Sequence, residues 1–184
     1  MKKISFLILA LGFVVLGACN DDGTIADPDA EMNESSMHED MDHSSSGEVP
    51  KGIVNADSPT FPPGSDAVIR TNHMKDMDGA EAVVSGAYDT TVYSVSYQPT
   101  TDGDEVWNHK WVVHEELEGV GDEPLEPGST VTLNAGHMKG MEGAEATIET
   151  AKQTTVYMVD FRPTSGGEMV LNHKWVTEDE LDKP

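Results

Sequence analysis

The sequence has one cysteine, Cys19, in 184 residues, so no disulfide can form within the chain. Stability outside the cell would have to come from burial alone. Basic residues are also scarce: 11 Lys and Arg stand against 34 Asp and Glu, and the formal charge is -23. That balance disfavours nucleic acid and anionic head groups as partners and concentrates cations near the surface. Ten-residue stretches with a helical period are missing from the repeats described below, which argues for an all-β protein. Also missing are a Gly-x-Ser-x-Gly setting for a nucleophile, a phosphate loop and a His-Glu-x-x-His pair, so no enzyme is expected. Carboxylates are plentiful, but no pair of them stands out.

Long apolar runs are confined to residues 4–16. A dozen apolar residues after Lys2 and Lys3 are too few to span a membrane and suit a secretory signal. Leu16-Gly17-Ala18-Cys19 follows, a lipobox that predicts a signal peptide over 1–18, cleavage after Ala18 and a diacylglycerol thioether on Cys19. Two acyl chains anchor a protein stably, which predicts a location on the extracellular face of the cell membrane. With Cys19 so used, a soft-metal site has only methionine sulfur and histidine nitrogen to draw on.

Residues 19–60 read as a disordered acidic tether. After residue 19 no aromatic side chain occurs before Phe61, so this stretch cannot bury enough apolar surface to offset chain entropy. It does hold Met32, Met37, His38, Met41 and His43, a Met/His tract that composition marks as a weak metal-capture segment or as a plain solvated spacer.

The remainder is a tandem repeat, the feature to look for before any other. His-Met-Lys-Asp-Met starts at His73 and His-Met-Lys-Gly-Met at His137; Asn-His-Lys-Trp occupies 108–111 and again 172–175. The copies share about half of their residues without a gap. Each opens on Pro-Gly-Ser, and each has a Thr-Thr-Val-Tyr run whose alternation of β-branched and aromatic residues marks a half-buried strand. Short strands with Gly and Pro turns predict two small SH3-like β-barrels, at 61–120 and 125–184, packed together in a monomer.

The repeated residues carry chemistry. His, Met and the second Met fall at i, i+1 and i+4, so one turn could bring an imidazole and two thioethers together. In a strand, His109 and Trp111 lie two apart and share a face, as do His173 and Trp175. Each copy thereby offers a candidate metal site: His73, Met74, Met77 and His109, then His137, Met138, Met141 and His173. Thioether with imidazole suits copper as Cu(I), or Ag(I) by the same chemistry. Trp111 and Trp175 would shield the ion through a cation–π contact. The competing reading is structural, with Met as core filler and His as hydrogen-bonded scaffold. On that reading the barrels are a metal-free module docking on cell-wall polymer or a protein.

Lipobox, Met/His tether and two copies of His-Met-Lys-x-Met-x-Gly-Ala, Thr-Thr-Val-Tyr and Asn-His-Lys-Trp-Val together resemble the YdhK-like lipoproteins of Gram-positive bacteria, some of them named as CopL-type copper-resistance lipoproteins. The resemblance covers both copies almost entirely and implies a surface-anchored copper-binding protein that limits copper toxicity. It also implies the same eight His and Met ligands. The departure is Asp76, where the second copy has Gly140.

Overall fold

A computed structural model of the chain describes residues 44–184. The expected signal peptide, Cys19 and the tether residues Met32, Met37, His38, Met41 and His43 lie outside the described residues. The strands are β1 (Val54–Asn55), β2 (Asp66–Ile69), β3 (Glu81–Tyr97), β4 (Val106–Val113), β5 (Thr130–Thr132), β6 (Glu145–Phe161), β7 (Val170–Thr177) and β8 (Leu181–Asp182). Single 3-10 turns at His114–Glu116 and Glu178–Glu180 complete the regular structure. The protein is all-β, as expected.

Two SH3-like barrels are not what forms. The eight strands make one sheet, which is not closed into a barrel. The reason lies in β3 and β6. Around 82–84 and 91–97 the alternation reads as two short strands per copy, but these run together into one strand of 17 residues. β3 and β6 then pair antiparallel over their whole length, from Ala82 opposite Phe161 to Tyr97 opposite Ala146. Each spends a full edge on the other repeat, so neither repeat can close on itself. Thr90 faces Thr154, its own counterpart in the second copy. A half-turn about that pair exchanges the repeats.

The opposite edge of β3 carries β2, β1 and β4 in succession, and that of β6 carries β5 and β7. β2 pairs in turn with β8 of the other copy. The apolar clusters are mixed in the same way. One joins Ile69, Met77 and Val84 to Tyr157, Val159 and Phe161. Another joins Tyr93, Val95 and Tyr97 to Leu133, Met141 and Ile148. A third, with Trp111 and Trp175, lies between Val92 and Val156. Burying a large apolar side chain contributes about 1.5–3 kcal/mol, and here most such side chains meet partners from the other copy. Either repeat alone would lack half its core.

Residues 44–60, expected to be unfolded, also find partners. Ser45 N donates to Leu171 O at 2.9 Å, Ala56 N donates to Ala87 O at 3.0 Å, and β1 pairs with Tyr88 and Asp89 of β3. Pairing along a sheet edge satisfies backbone groups and needs no apolar pattern, which is why composition gave no sign of it.

Candidate metal-binding cleft

Between the halves lies one cleft of about 950 Å³, lined among others by His73, Met74, His109, His137, Met138 and His173. All four repeated histidines thus border one space instead of two separate ones. How they arrive there follows from two local features.

The first is the His-Met loop. Gly79 N donates to Ile69 O and Ala80 N to Met77 O; in the second copy Gly143 N donates to Leu133 O and Ala144 N to Met141 O. Each loop is also tied down by the other repeat. Thr164 N donates to Asp76 O at 2.9 Å, and Thr100 N to Gly140 O at 2.8 Å. Those acceptors sit at φ 60° and 79°, where Gly is at ease and Asp is tolerated. At position 140 a Cβ would come within 2.5 Å of Thr101 Oγ1. At position 76 the Asp side chain instead accepts from Ser165 Oγ at 2.6 Å. The one departure between the two loops is therefore a packing difference. The turn sends its first Met to the cleft and its second to the core. Met77 and Met141 are fully buried among apolar side chains and do not border the cleft, so the core-filler reading describes them.

The second feature is a pair of register shifts in each of β4 and β7. Asn108 and Asn172 take φ 49° and 51° there, and the Lys110–Trp111 and Lys174–Trp175 peptides are cis. Bulges re-aim side chains, so His109 and Trp111 do not share a face as simple alternation predicts. The His109 ring lies 6.3 Å from Tyr97 and 6.0 Å from His137 of the other repeat. The Trp111 ring lies 6.2 Å from His73 of its own repeat. The close imidazole neighbour of His109 is His137 of the other repeat, while His73 and His173 line the same cleft.

Two carboxylates that sequence reasoning passed over hold this arrangement. Glu116, almost fully buried, meets His137 Nε2 at 2.7 Å and accepts from Trp175 Nε1 and Val113 N at 3.1 Å. Glu180 meets His73 Nε2 at 2.8 Å and accepts from Trp111 Nε1 at 2.9 Å and Thr177 N at 3.0 Å. Each Glu comes from one repeat and serves the His and Trp of the other. Burial pushes the Glu180 carboxyl up, but the hydrogen bond and charge of His73, with the Thr177 and Trp111 donors, outweigh it and hold the group at about 2. The signal was present: Glu-Leu closes both copies, at 116–117 and 180–181. The Trp rings do not take the expected shielding place. Neither borders the cleft, and the cations over them are Lys110 and Lys174, at 5.1 and 5.7 Å.

The donor set can be tested against a metal. In a neutral imidazole whose Nε2–H is given to a carboxylate, the lone pair is on Nδ1. His73 Nδ1 and His137 Nδ1 are buried and have no hydrogen-bond partner among the described residues. A carboxylate on one ring nitrogen with the other left open is the outer arrangement typical of metal-ligating histidine. With metal–nitrogen bonds of about 2 Å, two imidazoles on one ion have ring centres roughly 5–6.5 Å apart; His109 and His137, at 6.0 Å, fall inside that window. Among the described residues no three His, Cys, Asp or Glu side chains are grouped to hold a metal. What the cleft has is the His109–His137 pair, with His73, His173, Met74 and Met138 on the same lining; imidazole with thioether is a donor set that suits a soft ion better than a hard one.

Known proteins share this architecture. The chain matches the family described as "Protein of unknown function (DUF1541)" at residues 63–114 and 127–178, one match per repeat. It is 52% identical over 178 residues to the uncharacterized protein YdhK of Bacillus subtilis (strain 168), covering 97% of this chain and 87% of that one. A crystal structure of the DUF1541 family protein ydhK from B. subtilis at 2.00 Å superposes with a TM-score of 0.77 at 56% identity, over 80% of this chain and all of that one. A solution structure of the ydhK C-terminal domain from B. subtilis gives a TM-score of 0.63 at 59% identity, over 66% of this chain and 92% of that one. With both repeats matched and the identity running nearly end to end, the chain belongs to the YdhK-like DUF1541 family.

Proposed function

We propose that this protein is a non-enzymatic copper-binding lipoprotein that sequesters Cu(I) in the cleft and contributes to copper tolerance. Its place is the extracellular face of the cell membrane, where the acyl chains on Cys19 anchor it. The observation that carries the reading is the state of His73 and His137. Each imidazole is oriented by a buried carboxylate on Nε2, has no partner for Nδ1 among the described residues, and is followed in the chain by a Met bordering the same cleft. One half-site would consist of His109, His137 and Met138, and the other of His73, His173 and Met74. Thioether ligands need no deprotonation, so only the imidazoles compete with protons for the ion. The net charge of -23 favours cation entry.

The test is a Cu(I) titration of the unlipidated protein against a competing chelator. About two equivalents should bind tightly, falling to about one in the His137→Ala, Met138→Ala double variant. Failure to compete with the chelator would end the copper reading. Binding to washed cell walls, unaffected by copper or by these substitutions, would favour the metal-free docking module in its place.

A further inference from the structure

The half-turn that exchanges the repeats is broken where residues 44–48 lie along the outer edge of β7. Ser45 N donates to Leu171 O at 2.9 Å, and Leu171 N donates to Ser44 Oγ at 3.1 Å. Ser45 Oγ donates to Asn172 O at 2.7 Å, Asn172 Nδ2 to Ser45 O at 3.3 Å, and Lys174 Nζ to Glu48 O. The segment is also braced from within, since Gly47 N donates to Ser45 Oγ and Glu48 N to Ser46 Oγ, both at 3.3 Å. At Gly47 the backbone takes φ 79°, and a Cβ there would come within 3.1 Å of the Asn172 side chain. Glycine meets both demands.

The position of the segment bears on the cleft. Ser45, Ser46 and Glu48 line it together with His173 and Lys174. His173 is 6% exposed and Lys174 is half-buried. On the β4 side, which the half-turn makes equivalent, His109 is only half-buried and Asn108 and Lys110 are exposed. Asn-His-Lys-Trp is the same in both strands, so the difference in cover comes from what lies over them.

We propose that residues 44–48 form a strap that closes the His173 side of the cleft and leaves the His109 side as its entrance. The cover is on the cleft side of the imidazoles; behind them, Glu180 is the less buried of the two carboxylates. For the metal, the inference rests on the copper reading above: the half-site with His173 retains its Cu(I). The half-site with His109 and His137 takes up and gives up its ion quickly. A segment held by a few local hydrogen bonds opens far more readily than a core strand, so the strap slows exchange without sealing the site.

The experiment is labelling of the metal-free, unlipidated protein with diethyl pyrocarbonate, followed histidine by histidine by mass spectrometry. His109 should react about tenfold faster than His173, the margin expected for opening a segment held by a few hydrogen bonds. Gly47→Val and the Ser44→Ala, Ser45→Ala variant should each raise the His173 rate toward that of His109. The His109 rate should stay the same, which reports an intact fold. Equal rates in the parent, or a His173 rate moved by neither variant, overturn the strap. In the Cu(I)-loaded protein, release to a chromogenic chelator should show a fast ion and a slow one, with the slow phase lost in both variants. Ions that all leave the parent at one rate would overturn the retaining role. A chain that binds no Cu(I) yet keeps the labelling contrast would sink the copper reading and uphold the strap.

Discussion

The two halves of the cleft are copies in sequence but unequal in their contacts. Beside His109, Tyr97 directs its hydroxyl to Met138 Sδ at 3.8 Å. Beside His173, the corresponding residue is Phe161, its ring 5.6 Å away, with no hydroxyl to offer. The carboxylates differ as well: the Glu116 side chain is 5% exposed and that of Glu180 12%. A thioether binds a soft ion through sulfur lone pairs, so the Tyr97 O–H both positions Met138 and competes for it. The tandem copies supply two equivalent sets of cleft side chains, and single changes in the packing around them make one set better fixed and the other more open. A similar divergence occurs one layer out, where Tyr93 meets His114 at 2.8 Å while Tyr157 donates to Glu178 at 2.9 Å.

Removing the carboxylates should have the largest effect and should expose the inequality. Glu116→Ala strands buried donors on His137, Trp175 and Val113, and breaking a buried pair of this kind costs about 3–5 kcal/mol. Glu180→Ala should cost less, because water reaches its site more readily. Urea midpoints of the two variants decide the order. Acid should reach the same contacts in the parent. A carboxyl whose folded value is depressed stabilises above its unfolded value and loses that contribution as pH falls. For Glu180 the fall from 4.5 to about 2 sets an upper bound of about 3 kcal/mol, since part of it comes from the charged form of His73 and is absent where that ring is neutral. The contribution should fade as pH falls from about 4.5 to about 2 and be absent from the acid titration of Glu180→Gln.

Comparing the methionines within one loop comes next. Met74→Leu and Met138→Leu should each weaken Cu(I) binding by more than about tenfold, since losing even an outer partner of a metal ligand costs about 10–100-fold. Met77→Leu and Met141→Leu, both in the core, should leave binding within twofold and stability within about 1.5 kcal/mol. Chelator competition and urea melts of the four variants test this. The smallest effect is expected from Tyr97→Phe, which makes the halves alike. The ratio of the two Cu(I) affinities should move toward one, by less than about tenfold, since a single hydrogen bond contributes about 0.5–1.5 kcal/mol.

How far could this be read from the residues alone? The repeat, the all-β class and the turn at each His-Met loop were legible, because alternation and Gly spacing are local signals. The exchange of partners between the copies was not. Nothing in Ala82, Val84 or Tyr97 says whether the strand opposite belongs to the same repeat or to its twin, since the twins carry the same pattern. That ambiguity is what led from the expected barrels to one shared sheet. His109 was rightly placed on a strand, yet its direction depends on bulges at Asn108 and Lys110, and period-two reasoning cannot foresee those. Glu116 and Glu180 were hidden by composition: in a chain with 34 acidic residues, two buried ones do not stand out. Only their retention at the same place in both copies could have drawn notice.

The central proposal is that each half-site is assembled across the repeats, His109 with His137 and, by the half-turn that exchanges the repeats, His73 with His173. Counting the Cu(I) ions bound tightly by two double variants tests it most directly. His109→Ala with His137→Ala empties one half-site and should leave about one ion bound, whereas His73→Ala with His109→Ala damages both and should leave none. The reverse outcome, one ion retained in the second variant and none in the first, would mean that each repeat builds its own site and would contradict the account.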